Sequence, residues 1–206
     1  MQAPSRGIVF LDVDGVLHGH STLQTFDPAC MLRLQRLIER TGASVVLSSD
    51  WRRWEKGRED IAKQLCVLGL PPPVDCTPCT DFASRSDEIL DWLYRHPRVQ
   101  HWVALDDMDL TLAHAGSAFG AHFVQTNRDY GLGDADVERA ILILSRPFIR
   151  ERFPKPRAES WRLRHGSQEA SLAVVLSAAA CCVLALLFCC GLLVLAYERL
   201  TALHTQ

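Results

Sequence analysis

The stretch IVFLDVDGVLHG, residues 8–19, carries a run of β-branched and aromatic residues straight into two aspartates one residue apart, Asp12 and Asp14. It reads as a first buried strand that ends on carboxylates. Working outward, apolar segments alternate with helical patterns through residues 1–146, the mark of an α/β fold with a mainly parallel central sheet. GIVFLDV is the first strand. Asp27 then caps a helix with Pro28 at its first position, Met31, Leu34, Leu37 and Ile38 along one face, and Gly42 at its end.

ASVVLSS, residues 43–49, is the second strand. A helix around residues 57–68, the break at Pro71, Pro72 and Pro73, and the helix SRSDEILDWLYRH, capped near Ser84 or Ser86, come next. WVALDD, residues 102–107, is the third clear strand, and like the first it ends on paired carboxylates. AHFVQT, residues 121–126, is a candidate fourth strand, and DADVERAILILSR, residues 134–146, a closing helix.

Ligands of open α/β sheets bind beyond the carboxyl ends of the strands. Three strands end there in Asp12/Asp14, Ser48/Ser49 and Asp106/Asp107, so one site is expected to collect all six. Four acidic side chains so placed repel one another unless a cation sits among them, and a set of oxygen ligands suits Mg²⁺.

Four segments carry a family resemblance: DVDGV at 12–16, the serine ending the second strand in VVLSSDWR, the basic residue in SRSDEILDWL, and VALDD at 103–107. Together they resemble the motifs of the haloacid dehalogenase (HAD) superfamily. The finer pattern, including GLGDADVERAI at 131–141, is similar to the HAD domains associated with Swiss Army Knife RNA repair proteins. The resemblance implies a Rossmann-like HAD fold over residues 1–146 with a Mg²⁺-dependent phosphatase site.

By that resemblance Asp12 is the nucleophile that forms an aspartyl-phosphate, while Asp14 protonates the leaving oxygen and later activates water. Ser48 holds phosphoryl oxygens, with Ser49 left as the alternative because a one-residue slip in the strand reading exchanges them. Arg85 screens charge on Asp12 and the phosphate. Asp106 coordinates Mg²⁺ directly, Asp12 and the Asp14 backbone complete the protein ligands, and Asp107 holds a water or stands just outside them. Asp109 reads as a solvated loop acid, and Gly133 stands where the family usually has a helix-capping Thr.

Some ten residues separate Asp14 from the helix at Asp27, and residues 50–84 are too few for a separate lid domain, so the expected cap is minimal and the site open to bulky substrates. His18, His20, Arg52 and Arg53 are the nearest candidates for substrate contact. DWRRW, residues 50–54, offers basic and aromatic groups suited to a nucleic-acid end.

Residues 147–170 read as a basic, proline-containing linker with Arg150, Arg152, Lys155, Arg157, Arg162 and Arg164. Beyond it, SLAVVLSAAACCVLALLFCCGLLVLAY, residues 171–197, has no charged residue and is long enough to cross a bilayer core. Only the short tail 198–206 follows. Basic residues before the span and the lone Arg199 after it favour a single-pass protein whose catalytic domain faces the cytosol. The N-terminal MQAPSRG contains no apolar signal region. Four of the eight cysteines lie in the apolar span, and the single CxxC, Cys76 and Cys79, lacks the second pair or histidines of a zinc site and the strand-to-helix setting of a redox site.

The net charge of −2 gives no general polyanion-binding signal. The expected activity is therefore a membrane-tethered, Mg²⁺-dependent phosphomonoester hydrolase whose substrate could be a nucleic-acid end. Alternatives are a phosphoprotein or small-metabolite phosphatase and, from another class, a catalytically silent membrane-bound adaptor. Nothing in the sequence implies an obligate protein partner.

Overall fold

A computed structural model describes residues 7–22, 24–80, 83–114 and 118–146. The basic linker 147–170, the apolar stretch 171–197 and the tail 198–206 lie outside these residues. Among the described residues no helix is long and apolar enough to cross a membrane.

In chain order the elements are β1 (Ile8–Leu11), α1 (Pro28–Thr41), β2 (Ser44–Leu47), a 3₁₀ turn (Asp50–Arg53), α2 (Glu55–Val67), β3 (Asp75–Cys76), α3 (Arg85–Arg95), β4 (Trp102–Asp106), β5 (Phe123–Gln125) and α4 (Asp134–Leu144). The five strands form one sheet in the order β3-β2-β1-β4-β5, and every pairing is parallel. Parallel neighbours need crossovers, and the helices that supply them cover both faces of the sheet. That covering is why β1 is apolar without alternation: all four of its residues are buried.

Alternate residues serve opposite faces. Val9 and Leu11 pack in one cluster with Leu34, Leu37, Val137 and Ala140 of α1 and α4. Ile8 and Phe10 pack in the other with Ile89, Trp92, Trp102 and Phe119. Phe10 meets Trp92 and Trp102 edge to face at 5.3 and 5.8 Å, a geometry favoured by the ring quadrupoles.

The expected caps are present. Asp27 Oδ1 accepts from the Ala29 and Cys30 amides at 2.7 and 3.1 Å, and Gly42 ends α1 in the left-handed region at φ 62°. Of the two serines considered for α3, Ser84 is the cap. Its Oγ accepts from the Asp87 amide at 3.2 Å, while Asp87 Oδ2 accepts from the Ser84 amide. Gly133 begins α4 without a side-chain cap, and Asp136 Oδ2 accepts from its amide at 2.9 Å instead.

The strands are shorter than the apolar runs that announced them, since WVALDD ends its ladder at Asp106 and AHFVQT begins at Phe123. Strand β3 was not anticipated. It has two residues, follows the prolines, and shows no apolar alternation; only its place beside β2 makes it a strand. Cys76 of the CxxC lies in it.

Strand order reverses between β1 and β4. The chain proceeds from β1 outward to β2 and β3, then returns to the other side of β1 for β4 and β5. The divergence opens a crevice above the carboxyl ends of β1 and β4. Segment 50–84 becomes the 3₁₀ turn, α2 and β3, which are parts of the main layers rather than a lid. The short excursion after Asp14 is held down by bonds from the His20 amide to the Arg128 carbonyl and from the Asp27 amide to the Leu17 carbonyl, at 2.9 and 2.8 Å.

Candidate active site

The β1 ladder places Leu11 opposite both Leu47 and Leu105, so the residues that follow these three emerge at one height. The Asp12 amide donates to the Leu105 carbonyl at 3.1 Å and the Ser48 amide to the Leu11 carbonyl at 2.8 Å, which carries the alignment one residue past the strand ends. Asp12, Ser48, Ser49 and Asp106 are all buried there.

Arg85 is the first residue of α3, and the Ser84 cap aims its side chain across the crevice. One guanidinium nitrogen, Nη1, lies 2.7 Å from Asp12 Oδ2 and 2.7 Å from Asp106 Oδ2. A single cation thus bridges the two strand-end carboxylates. Burial works against the charge on Arg85, but the two anions outweigh it and raise its pKa.

The carboxylates remain under-compensated. Burial pushes the Asp106 carboxyl up to about 7, the Asp12 charge adds to the rise, and Arg85 opposes it. Burial likewise raises Asp12, against the lowering pull of Arg85 and of hydrogen bonds from the Val13 amide and the Ser49 side chain. Asp106 Oδ1 also accepts from the Met108 amide at 2.9 Å.

Asp12, Asp106 and Asp107 each offer a carboxylate oxygen within 4.8 Å of the others. Three clustered carboxylates with one bridging arginine, oxygen donors throughout, and burial that resists ionisation of Asp12 and Asp106 form a set that a hard divalent cation suits. Asp107 is partly balanced by the exposed Arg128, whose Nε lies 3.3 Å from its Oδ2.

Gly15 is indispensable to this packing for two reasons. Its φ of 73° lies in the left-handed region, and a Cβ there would stand 2.6 Å from the Cβ of Asp107. The Gly15 carbonyl accepts from Thr126 Oγ1 at 2.7 Å, tying the end of β5 to the turn.

Asp14 stands apart from the three-carboxylate cluster. Its side chain is about half exposed, with Oδ1 at 3.3 Å from His18 Nε2 and Oδ2 accepting from the Trp51 indole N–H at 3.0 Å. His18 is therefore beside Asp14, while its buried Nδ1 has no hydrogen-bond partner among the described residues. His20 is exposed.

The two serines differ. Ser49 Oγ accepts from the Trp51 amide at 3.4 Å, capping the 3₁₀ turn, and bonds Asp12. Ser48 Oγ is buried with no hydrogen-bond partner, which leaves it the free hydroxyl at the strand end.

Arg52 is not available for substrate, contrary to the expectation from DWRRW. Its side chain is 1% exposed and ion-paired to Glu88. The same guanidinium donates to the carbonyls of Ser48, Ser49, Thr77 and Pro78. It is a structural cation that ties the 3₁₀ turn to α3 and the segment after β3. Arg53, by contrast, is partly exposed and pairs with Asp50 at 3.1 Å. Asp109 is the local turn acid expected, accepting from the Thr111 amide and hydroxyl, bonds that lower its pKa.

Sequence reading missed Thr126, Arg128 and the Arg52–Glu88 pair as parts of this neighbourhood, and it offered Trp51, within DWRRW, for substrate rather than for Asp14. Thr126 follows the fourth apolar run as Ser48 follows the second, which was a usable signal. Arg128 had none, because its relation to Asp107 exists only across the turn.

A parallel sheet with a crevice at its order reversal, and an Asp12–Arg85–Asp106 bridge at the strand ends, defines a HAD-type α/β domain. The sequence pattern of one family, the HAD domain in Swiss Army Knife RNA repair proteins, matches residues 8–137. The match spans more than half of the chain, and the chain belongs to that family. No curated protein and no solved structure matches it. HAD domains are generally hydrolases of phosphatase type, and membership points to that class.

Proposed function

We propose that the protein is a Mg²⁺-dependent phosphomonoester hydrolase that works through an aspartyl-phosphate on Asp12, acts on nucleic-acid ends, and is tethered to a membrane. The observation that carries the chemistry is the Arg85 bridge at 2.7 Å to both Asp12 and Asp106 beside a third carboxylate.

The carboxylates of Asp12 and Asp106, the Asp14 backbone carbonyl and, at or just beyond contact, Asp107 would hold the ion. Bound Mg²⁺ would screen phosphoryl charge against the attacking carboxylate. Asp12 Oδ attacks phosphorus, and the bond to the leaving oxygen breaks as Asp14 gives that oxygen its proton. Arg85 fixes the Asp12 carboxylate for this attack. Asp14, now ionised, takes a proton from water, whose oxygen attacks phosphorus and frees phosphate and Asp12. The unpartnered Ser48 hydroxyl is the available donor to phosphoryl oxygens, with Ser49 already engaged by Asp12.

Support for a nucleic-acid end comes from the uncapped crevice, the RNA-repair setting of the family, and exposed basic and aromatic residues. Arg128 lies at Asp107 and Tyr130 two residues beyond it, while Arg53 and Trp54 end the 3₁₀ turn. Arg52 has no part in this grip. An open site encloses small esters poorly, so contacts outside the crevice must supply the positioning. Support for the tether is the uncharged stretch 171–197 with its basic flank on the N-terminal side.

The test compares a 3′- or 5′-phosphorylated oligonucleotide with the matching mononucleotide. The oligonucleotide should have kcat/KM higher by at least about tenfold, about 1.4 kcal/mol, with salt eroding the advantage. Equal efficiency or a preference for phosphopeptides rejects the nucleic-acid reading. Full-length protein should resist alkaline carbonate extraction from membranes, and protease added to the cytosolic side should digest the domain; extraction or protection rejects the tether or its orientation.

A further inference from the structure

The segment DWRRW, which the sequence offers as a substrate grip, instead turns its first tryptophan inward. We infer that Trp51 is a positioning residue for Asp14: its indole N–H holds one carboxyl oxygen and so fixes which oxygen is left to serve the leaving group. This rests on the reading of Asp14 as general acid.

The contact is a 3.0 Å bond from Trp51 Nε1 to Asp14 Oδ2. An indole nitrogen is a donor only. Held as the acceptor of that bond, Oδ2 is committed to the indole, which leaves Oδ1, 3.3 Å from His18 Nε2, as the oxygen free of it. The half-exposed Asp14 side chain is met from two sides, by the Trp51 indole on Oδ2 and by His18 Nε2 at 3.3 Å from Oδ1, and, among the described residues, by no bridging arginine of the kind that fixes Asp12. A carboxyl group free to rotate would spend part of its time presenting the wrong oxygen, which lowers the productive fraction at each encounter.

Trp51 is itself firmly placed. Its backbone belongs to the 3₁₀ turn that Ser49 caps and that the buried Arg52 guanidinium grips through the Ser48 and Ser49 carbonyls. On the other side α2 closes on it: a Cβ at Gly57 would stand 2.4 Å from the Trp51 carbonyl oxygen, so only glycine permits that approach. The ring rests against Phe26 at 5.7 Å with planes inclined 65°. Phe26 precedes Asp27, the cap of α1. The indole is thus braced by α1, α2 and the Arg52 anchor, and delivers their rigidity to the half-exposed carboxylate of Asp14.

The role predicts dependence on the leaving group, because a nitrophenolate departs without a proton and an alkoxide does not. The kcat/KM value reports steps through departure of that group. In full-length protein, Trp51→Phe should lower kcat/KM for p-nitrophenyl phosphate by no more than about threefold, and for a simple alkyl phosphate by at least about thirtyfold. Asp14→Ala should steepen the same dependence, and adding Trp51→Phe to Asp14→Ala should cost nothing further. In ¹⁵N spectra the indole N–H signal that Trp51→Phe removes should move upfield in Asp14→Ala.

Equal loss on both esters, full additivity of the two substitutions, or an unmoved indole signal would overturn the inference. If Asp14→Ala leaves the leaving-group dependence unchanged, or the wild type hydrolyses neither ester, the general-acid reading fails and takes this inference with it. If Asp14→Ala steepens the dependence and Trp51→Phe does not, the inference alone fails.

Discussion

Two arginines largely withdrawn from solvent, with side chains 1% and 13% exposed, do opposite things. Arg52 meets the buried Glu88, four backbone carbonyls and, at 3.7 Å, the exposed Asp50 carboxylate. Glu88 is completed in turn by the Thr80 amide at 2.9 Å. The buried charge there is matched one to one, and the guanidinium is fully engaged. Arg85 meets two carboxylates through one nitrogen, with a third close by. Charge there is in deficit of a cation, and burial raises the pKa of both bridged acids. A buried ion pair that closes on itself holds a fold together; one that leaves anions unmatched is poised to take a metal and a phosphate.

The largest expected effect comes from the unsaturated side. Asp12→Asn should lower phosphatase turnover by at least about a thousandfold, because the amide keeps the shape but not the nucleophile. It should also raise the melting temperature of the metal-free protein by removing one of the repelling anions. A variant within tenfold of wild-type activity at matched purity would sink the nucleophile assignment.

Next in size is the saturated pair. Arg52→Met leaves Glu88 buried without its cation, and urea unfolding should show a loss of about 3–5 kcal/mol. Replacing Glu88 by Leu in the same chain should recover much of it. Should Arg52→Met unfold at the wild-type urea concentration yet lose substrate affinity, the distinction between the two arginines would be reversed.

Acid titration sharpens the contrast further. The Asp106 carboxyl lies near 7 in the folded chain and near 3.8 unfolded, so between those values the native state binds more protons. Stability of the metal-free protein should therefore fall as pH rises from about 4 to 7. Saturating Mg²⁺ at neutral pH should restore it, by about 2.7 kcal/mol at a hundredfold excess over Kd. Asp106→Asn should abolish both the decline and the Mg²⁺ response, as read by thermal melts.

The smallest effect belongs to a third arginine. Arg128 pairs with Asp107 but is 68% exposed. Arg128→Ala should change stability by less than about 1 kcal/mol, since water screens such pairs. A loss matching that of Arg52→Met would show that exposure does not separate these roles.

Local rules made much of this legible. A run such as IVFL followed by Asp12, or WVAL followed by Asp106, names both a buried strand and its chemical end, because side-chain type and strand position are linked within a few residues. The caps Asp27, Gly42 and Ser84 follow for the same reason. Strand β3 stayed hidden because two residues carry no periodicity, and it exists only by pairing with β2.

What the sequence determined by itself was the α/β order, the family, and the strand ends where carboxylates gather; of the four acids it offered there, Asp12, Asp106 and Asp107 cluster, and the fold sets the Asp14 side chain apart. What only tertiary structure decided was the use of the basic and aromatic residues. Arg85 was marked by its motif, but Arg52 and Arg128 are chemically identical to it, and nothing next to them in the chain says that one is sealed against Glu88 and the other lies open beside Asp107. Nor does DWRRW say that Trp51 faces Asp14. Long side chains reach partners tens of residues away, so their roles depend on burial and on which charges the fold brings within about 3 Å, the range in which hydrogen bonds form.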